Sequence, residues 1–435
     1  MFRPELRDVI SESQQAVFDT GHSVGELAQQ RFPGGVDASR GDHAKFADAL
    51  AYTRELVRGG QKVIYEAAFS NGETLCYMDI LVKEEGGWHA YEVKASTSVK
   101  EYQVLDVAFQ YWVIRGSGLP LTGVSLVHLN NQYIRRGELD IKDLFSIELL
   151  TDDILPMQEE IPLKLKALKS MLSKGVEPRV EIGPHCGDPF GCDFMGHCWK
   201  DVPEYSVFNV SRIGGRAFDL WRDGILHIAD IPDDFTLSAS QQLQVQAEKT
   251  GEVFRDQEAL DKFKSQLVWP LYFMDFETFM PAVPMYEGTH PYQMLPFQYS
   301  LHVVGAGGEE PGHFAFLGTP PEDPREEFIR SLLKNIGKSG SVLTWNQAFE
   351  ISRLNEIARD FPQYSGEIAA LVERVVDLML PFQRKHFYTP QMKGSYSIKN
   401  VLPALVPELS YKDLEIQEGG TASLVYMSLY SDPDP

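Results

Sequence analysis

Residues 77–94 constrain the fold of this chain more than any other stretch. Two runs rich in β-branched and aromatic residues, Tyr77-Met78-Asp79-Ile80-Leu81-Val82 and Trp88-His89-Ala90-Tyr91-Glu92-Val93-Lys94, flank a Lys-Glu-Glu-Gly-Gly break at 83–87. That is the pattern of a β-hairpin. Strand side chains alternate with period two, so Glu92 and Lys94 share a face. With Asp79 turned the same way, two carboxylates and an ammonium converge. Such a trio can hold a divalent cation and activate a water against a phosphodiester. The plainer reading of the same residues is a solvated strand face with an incidental ion pair.

The flanking sequence supplies elements to surround the hairpin. Val17, Val24, Leu27 and Ala28 recur at helical spacing over 11–32, where Phe32-Pro33-Gly34-Gly35 ends the run. A second helix is expected over 43–59, closed by Gly59-Gly60, and then a strand over 62–69 that carries Glu66. Helix 101–115 follows, with Asp106 and Gln110 one turn apart on one side and Tyr111 beside them. A strand over 123–129 completes the series. The order α-α-β-β-β-α-β fits an α/β core, a mixed sheet flanked by helices.

Length and charge bound the rest. A chain of 435 residues holds two or three domains. No apolar run approaches the length that crosses a bilayer, and no secretory-signal pattern opens the sequence. Four cysteines, three of them clustered, do not make a secreted disulfide scaffold, so a cytoplasmic location is expected. A net charge of -22 argues against a broad basic surface and leaves room only for a local nucleic-acid groove. Lys164, Lys166, Lys169 and Lys174 alternate with Leu163, Leu165, Leu168 and Leu172 in an amphipathic helix. Its lysines read as a solvated face.

Glu92-Val93-Lys94, with Asp79 on the preceding strand, resembles the metal-dependent PD-(D/E)XK nucleases. The upstream helical His22 and the downstream helical Gln110-Tyr111 narrow the likeness to the RecB-like branch. The resemblance implies a restriction-endonuclease-like mixed sheet, with His22, Asp79 and Glu92 as ligands of Mg²⁺ or Mn²⁺. It makes Lys94 the group that orients the attacking water and places Gln110 and Tyr111 along the site. Glu66 is the candidate for an additional carboxylate.

Cys186, Cys192 and Cys198 lie within thirteen residues of a Gly/Pro-punctuated loop, a spacing that points to a metal site. Iron–sulfur clusters and zinc both take thiolates, and His185 or His197 offers a fourth ligand for zinc. RecB-like nucleases of the CRISPR-adaptation type carry such a cluster, whose fourth cysteine precedes the catalytic histidine. The resemblance therefore implies an iron–sulfur (4Fe-4S) cluster, with zinc as the alternative, pinning the end of a domain at 1–200 to its start. No cysteine precedes His22 here, which leaves a clipped amino terminus or an incomplete site as the readings. Cys76 reads as a core thiol.

Residues 201–265 change character. Ile213-Gly214-Gly215-Arg216 and Gly224-Ile225 are similar to the Gly-Ile turns of helix–hairpin–helix elements, whose amide N–H groups bind phosphate. The reading taken for the segment is a plain interdomain helical spacer, with a glutamine-rich helix beginning near Leu237, and the helix–hairpin–helix likeness is its alternative.

A second acidic stretch opens the remainder, 266–435. The apolar strand Leu271-Tyr272-Phe273-Met274-Asp275-Phe276-Glu277-Thr278 ends in Asp-x-Glu, and a partner strand is expected over 298–304. A strand over 341–346 leads into helix 348–359 with Glu350 in its first turn, and Asp377 is expected to open an apolar helical segment. Acidic groups on two strands and a helix start suit a two-metal phosphodiesterase. Phe273-Met274-Asp275-Phe276-Glu277-Thr278 followed by Trp345-Asn346-x-x-Phe349-Glu350 resembles the DEDD 3′–5′ exonucleases of RNase H-like fold. The resemblance makes Asp275, Glu277 and Glu350 metal ligands. Its last motif is a Tyr-x-x-x-Asp within a carboxy-terminal helix, which is expected to be missing where the sequence stops at Asp434-Pro435, so Asp377, Glu415 and Glu418 are the stand-ins and the chain is expected to be short at both ends.

The order of these parts, with Gly394-Ser395-Tyr396-Ser397-Ile398-Lys399 near the end, looks like an uncharacterised bacterial domain-of-unknown-function family that fuses the two. That likeness implies a metal-dependent (exo)deoxyribonuclease acting on DNA in repair, processing or defence. Two other classes stand beside it: a nucleic-acid-binding or scaffold protein with impaired sites, and a hydrolase of small phosphoesters.

Overall fold

The computed structural model describes residues 3–41, 45–307, 310–409, 416 and 418–430. The chain is a mixed α/β protein that divides into two compact units. The first is built from Ile10–Val180 with Met280–Gln293, and the second from Glu181–Phe279 and Met294–Pro435 with Glu5–Val9. Among the described residues no helix is long and apolar enough to cross a membrane.

The first unit is a six-stranded sheet whose spatial order follows the sequence: β1 (Val36–Asp37), β2 (Val63–Asn71), β3 (Thr74–Glu84), β4 (Gly87–Lys94), β5 (Leu121–Leu129) and β6 (Phe145–Leu149). β2, β3 and β4 form an antiparallel meander, and Gly86, at φ 89°, makes the tight connection between the last two. β4 and β5 are parallel, joined across the sheet by helix α3 (Glu101–Gly116). A long crossover is what a parallel pair requires. Val107, Ala108, Tyr111, Val113 and Ile114 of α3 bury against Ile64, Met78, Leu81 and Leu126. The helix α1 (Glu12–Gln29), whose cap Ser11 accepts the Gln14 N–H, packs Val24 and Ala28 with Ile80, Val127 and Leu129, and α2 (Phe46–Arg58) follows it in the chain.

The alternation of side chains in this sheet breaks at one point. Met78 and Leu81 both belong to the core under α3, whereas Ile80 belongs to the core with α1. Strict alternation would put Met78 and Ile80 on one face. The phase therefore slips at Asp79. On β2 the matching slip falls at Glu66, a non-glycine residue at φ 49° between the Tyr65–Ile80 and Ala67–Met78 pairs.

The second unit carries β7 (Phe254–Arg255), β8 (Leu271–Phe279), β9 (Leu295–Val304), β10 (Gly312–Leu317), β11 (Ser341–Thr344), β12 (Val375–Asp377) and β13 (Phe387–Tyr388). Five of them form a sheet of order β10-β9-β8-β11-β12, and β7 pairs with β13. β8, β9 and β10 are antiparallel, and β11 runs parallel to both β8 and β12. Its core joins Met274, Phe276 and Leu301 to Phe328, Leu332, Leu354 and Ile368 from helices Arg325–Asn335, Gln347–Asp360 and Ser365–Val372. Asp377 closes β12, where β-branched Val375 and Val376 pair with Val342 and Leu343, and the expected apolar helical segment is the four-residue helix Leu380–Gln383, which starts two turn residues later.

Candidate active sites

In the first unit the slip at Asp79 places a carboxylate where the ladder would continue. The β3–β4 pairing begins at Ile80–Tyr91, and just beyond it the Val93 N–H donates to Asp79 Oδ2 at 2.6 Å. On the same face Lys94 Nζ donates to Glu92 Oε1 and to Asp106 Oδ2, both at 2.7 Å. Glu92 is 4% exposed, so a paired ammonium is what lets it stay in place. Asp106 comes from the first half of α3, one turn before Gln110, and joins this group through Lys94 although no motif in the sequence marks it. Its signal is the helical spacing to Gln110 on a face turned to the strands.

The electrostatics are those of crowded carboxylates. Burial, Glu92 and Glu66 push the Asp79 carboxyl well above its ordinary range, against the pull of the Val93 N–H and Lys94. Burial also raises Glu92, with Asp106 adding to it and Lys94 and the Gln110 amide opposing. Lys94 loses solvent, which favours the neutral amine, yet Glu92 and Asp106 outweigh that loss and raise its pKa. Glu92 Oε2 and Gln110 Oε1 are buried without a hydrogen-bond partner. An acceptor stranded in this way costs about 1–3 kcal/mol. Two orphaned oxygens beside a second carboxylate are the donor chemistry of a hard divalent cation.

The remaining expected residues divide. Glu66 faces Asp79 electrostatically, as an additional carboxylate would. Tyr111 sits in the core beneath α3, 5% exposed. His22 is exposed on α1, its Nδ1 bonded to the Phe18 carbonyl at 2.8 Å, and is not among the groups that shift Asp79 or Glu92. Cys76 is a buried thiol, pushed up to about 12 by burial and then by Glu92 and Asp106.

The cysteine loop belongs to the second unit. Cys186 is buried and Cys192 and Cys198 are exposed, and no disulfide joins the cysteines. The Cys192 N–H donates to the Cys186 carbonyl at 2.8 Å, folding the loop back on itself. The early segment Glu5–Val9 is tied to it: the Asp8 N–H donates to the Asp193 carbonyl, Gly196 N–H donates to the Asp8 carboxylate, and Arg7 pairs with Asp193 at 2.9 Å. Among the described residues no three His, Cys, Asp or Glu side chains form a closed metal-binding group.

The second acidic group is built on β8, β12 and the start of helix Gln347–Asp360. Asn346, at φ 76°, turns β11 into that helix, and its N–H and that of Met379 both donate to Asp377 Oδ1. Glu350 is 2% exposed, with Oε2 buried and unpartnered, and is pushed up to about 8 by burial, with Asp275 and Asp377 contributing. Burial raises Asp275, while Glu277 is raised by burial and Asp275 and drawn down by Lys399. Lys399 also lies 3.9 Å from Glu418. A Cβ on Gly419 would stand 3.0 Å from Glu277 Oε2, so helix Gly419–Ser428 begins against that carboxylate. Asp377 and Glu418 thus border Glu350 and Glu277, while Glu415 lies outside the described residues.

Comparison with known proteins adds a domain without an activity. The chain is similar to the "Uncharacterized protein UU173" of Ureaplasma parvum serovar 3 (strain ATCC 700970), at 23% identity over 242 residues, 51% of this chain and 35% of that protein. The chain thus spans about a third of the length of this curated relative. No solved structure matches. A family model described as "Domain of unknown function (DUF2779)" matches residues 272–397, the segment that holds Asp275, Glu277, Glu350 and Asp377. Residues 272–397 are thus similar to that domain, and apart from Met280–Gln293 they belong to the second unit.

Proposed function

We propose that the chain is a metal-dependent nuclease that hydrolyses DNA phosphodiester bonds. The observation that carries this reading is the Lys94 ammonium held between Glu92 and Asp106 beside Asp79, with Glu92 Oε2 and Gln110 Oε1 buried and unpartnered. The series β2-β3-β4-α3-β5 in a mixed sheet supports the PD-(D/E)XK resemblance. Numbering the five strands of the second sheet from β8, their order is 3-2-1-4-5, with the first three antiparallel and the last two parallel to the first. That order supports the RNase H-like resemblance.

Asp79 and Glu92 would hold Mg²⁺ or Mn²⁺ in the first unit, and Asp275, Glu277 and Glu350 would do so in the second. A cation there supplies charge stabilisation at the phosphoryl oxygens and an acidified water. The chain's own groups do the rest. Asp79 is locked in orientation by the Val93 N–H, and Lys94 keeps its proton and donates into the site, where it can orient a water. Asp106 fixes the ammonium from the helix side. Cys186, Cys192 and Cys198 would supply thiolates to an iron–sulfur cluster or zinc, a structural role tested by metal analysis and the visible spectrum of anaerobically purified protein.

The function is tested by incubating the protein with end-labelled single- and double-stranded DNA, with Mg²⁺ or Mn²⁺ and with chelator, beside a nucleoside monophosphate. Shortened DNA in metal and intact DNA in chelator are expected, with the monophosphate unchanged. Turnover of the monophosphate alone would replace this reading with a small-phosphoester hydrolase. Intact DNA throughout would leave a binding protein.

A further inference from the structure

The second unit contains a cavity of about 310 Å³ that neither carboxylate group uses, lined among others by Lys385, Arg212, Arg216, Ser238 and Tyr396. In a chain of net charge -22, three cationic side chains meet there, and among the described residues no carboxylate lines it. Lys385 is the centre of the case. It is 6% exposed, at φ 54°, and among the described residues forms no ion pair. Its Nζ donates a long hydrogen bond of 3.3 Å to Ser211 Oγ and stands 4.4 Å from the centre of the Tyr388 ring. Those contacts offset only part of the loss of water, and burial alone pushes the ammonium down to about 8. A buried cation in that condition wants an anion.

The surroundings are arranged to receive one. Arg216 is held by the Thr236 carbonyl and by Gln241 Oε1, so its guanidinium is fixed at the cavity wall. Arg212 is exposed at φ 54° and forms no ion pair among the described residues. Ser238 caps the twelve-residue helix Ala239–Thr250, and Ser238 and Ser240 bring the start of that helix to the cavity. Amides and dipole at a helix start favour an anion. Here they add to the buried lysine.

We propose that this cavity binds a phosphate group through Lys385, Arg212 and Arg216. The phosphate would come from a nucleic-acid strand or from free phosphate, since both present the same anion. The strand source rests on the nuclease reading and has its own support in one loop. Tyr396 lines the cavity and takes the Trp345 indole N–H on its carbonyl at 3.3 Å, while the charge of Lys399, three residues on, acts on the Glu277 carboxyl. A phosphate in the cavity would therefore be one loop away from the acidic group, as a neighbouring phosphate of a bound strand would be.

The test needs no catalysis. In chelator, binding of a fluorescein-labelled single-stranded 20-mer is followed by anisotropy at several salt concentrations for the wild type, Lys385→Met and Arg212→Gln. Unfolding temperatures of the same proteins are measured with and without inorganic phosphate. Arg212→Gln changes an exposed side chain and keeps the test valid should Lys385→Met unfold. Each variant is expected to weaken strand binding about tenfold and to lower the slope of log affinity against log salt by about one. Strand binding that is unchanged, with phosphate raising the unfolding temperature of the wild type and not of the variants, would assign the site to free phosphate. The absence of both effects would overturn the proposal. A wild type that shows either effect yet never cleaves DNA in metal would sink the nuclease reading and leave this site standing.

Discussion

At the scale of single residues, the molecule keeps charges where burial disfavours them. Glu350 shows this most plainly, because its carboxyl holds a proton up to about 8 in the folded chain against an ordinary 4.5. A folded state that binds the extra proton loses stability as pH rises from 4.5 through about 8. Glu350→Gln keeps the shape and removes the titration. In chelator it is expected to raise the unfolding temperature, with a gain larger at pH 8 than at pH 5 and on the order of 1–3 kcal/mol. The same change removes a cation ligand, so the rise in unfolding temperature that Mn²⁺ gives the wild type should shrink in the variant. A variant less stable than wild type at pH 8, or one that responds fully to Mn²⁺, would count against Glu350 as a ligand held ready. Asp79 and Glu92 carry the same tension in the first unit, relieved in part by Lys94.

At the scale of elements, the long and periodic pieces are legible in the sequence. The apolar spacing over 11–32 and the Gly-Gly stop at 59–60 correspond to α1 and to helix Phe46–Arg58, and the hairpin at 77–94 to β3 and β4. Short strands are not. β12 has three residues and β6 five, too few for an alternation to stand out, and both are fixed by pairing with distant partners. Asp377 therefore reads as a helix start in the sequence and is a strand end in the structure. The slip at Glu66 and Asp79 is hidden as well, because it shows only once the two strands are paired. Asp106 is visible as a helical neighbour of Gln110, but its bond to Lys94 depends on how α3 lies across the sheet. The loop that carries Tyr396 and Lys399 hangs on Gly394, at φ 73°, where a Cβ would stand 2.3 Å from the Asn209 carbonyl oxygen. Backbone cannot yield there, so Gly394→Ala is expected to lose about 1–3 kcal/mol of stability, read by thermal unfolding. Unfolding at the wild-type temperature would show that the loop has room to move.

At the scale of the whole molecule, each unit of an acidic chain gathers one group of buried and half-buried carboxylates, with half-buried Lys94 beside the first and buried Lys385 in the separate cavity of the second unit. The net charge of -22 speaks for a protein with no broad basic face, and the local features that oppose it, Lys94 between two acids and Lys385 without one, emerge only when distant segments meet. The central claim is that phosphodiester cleavage is carried out at Glu92, Lys94 and Asp106. Cleavage rates of end-labelled DNA with Mg²⁺ or Mn²⁺ for the wild type, Lys94→Ala and Asp275→Ala test it most directly, each protein first checked for native circular dichroism. Lys94→Ala is expected to cleave about a hundredfold or more slowly, while Asp275→Ala retains the activity of the first unit. Lys94→Ala cleaving at the wild-type rate would contradict the claim, and loss confined to Asp275→Ala would move the chemistry to the second unit.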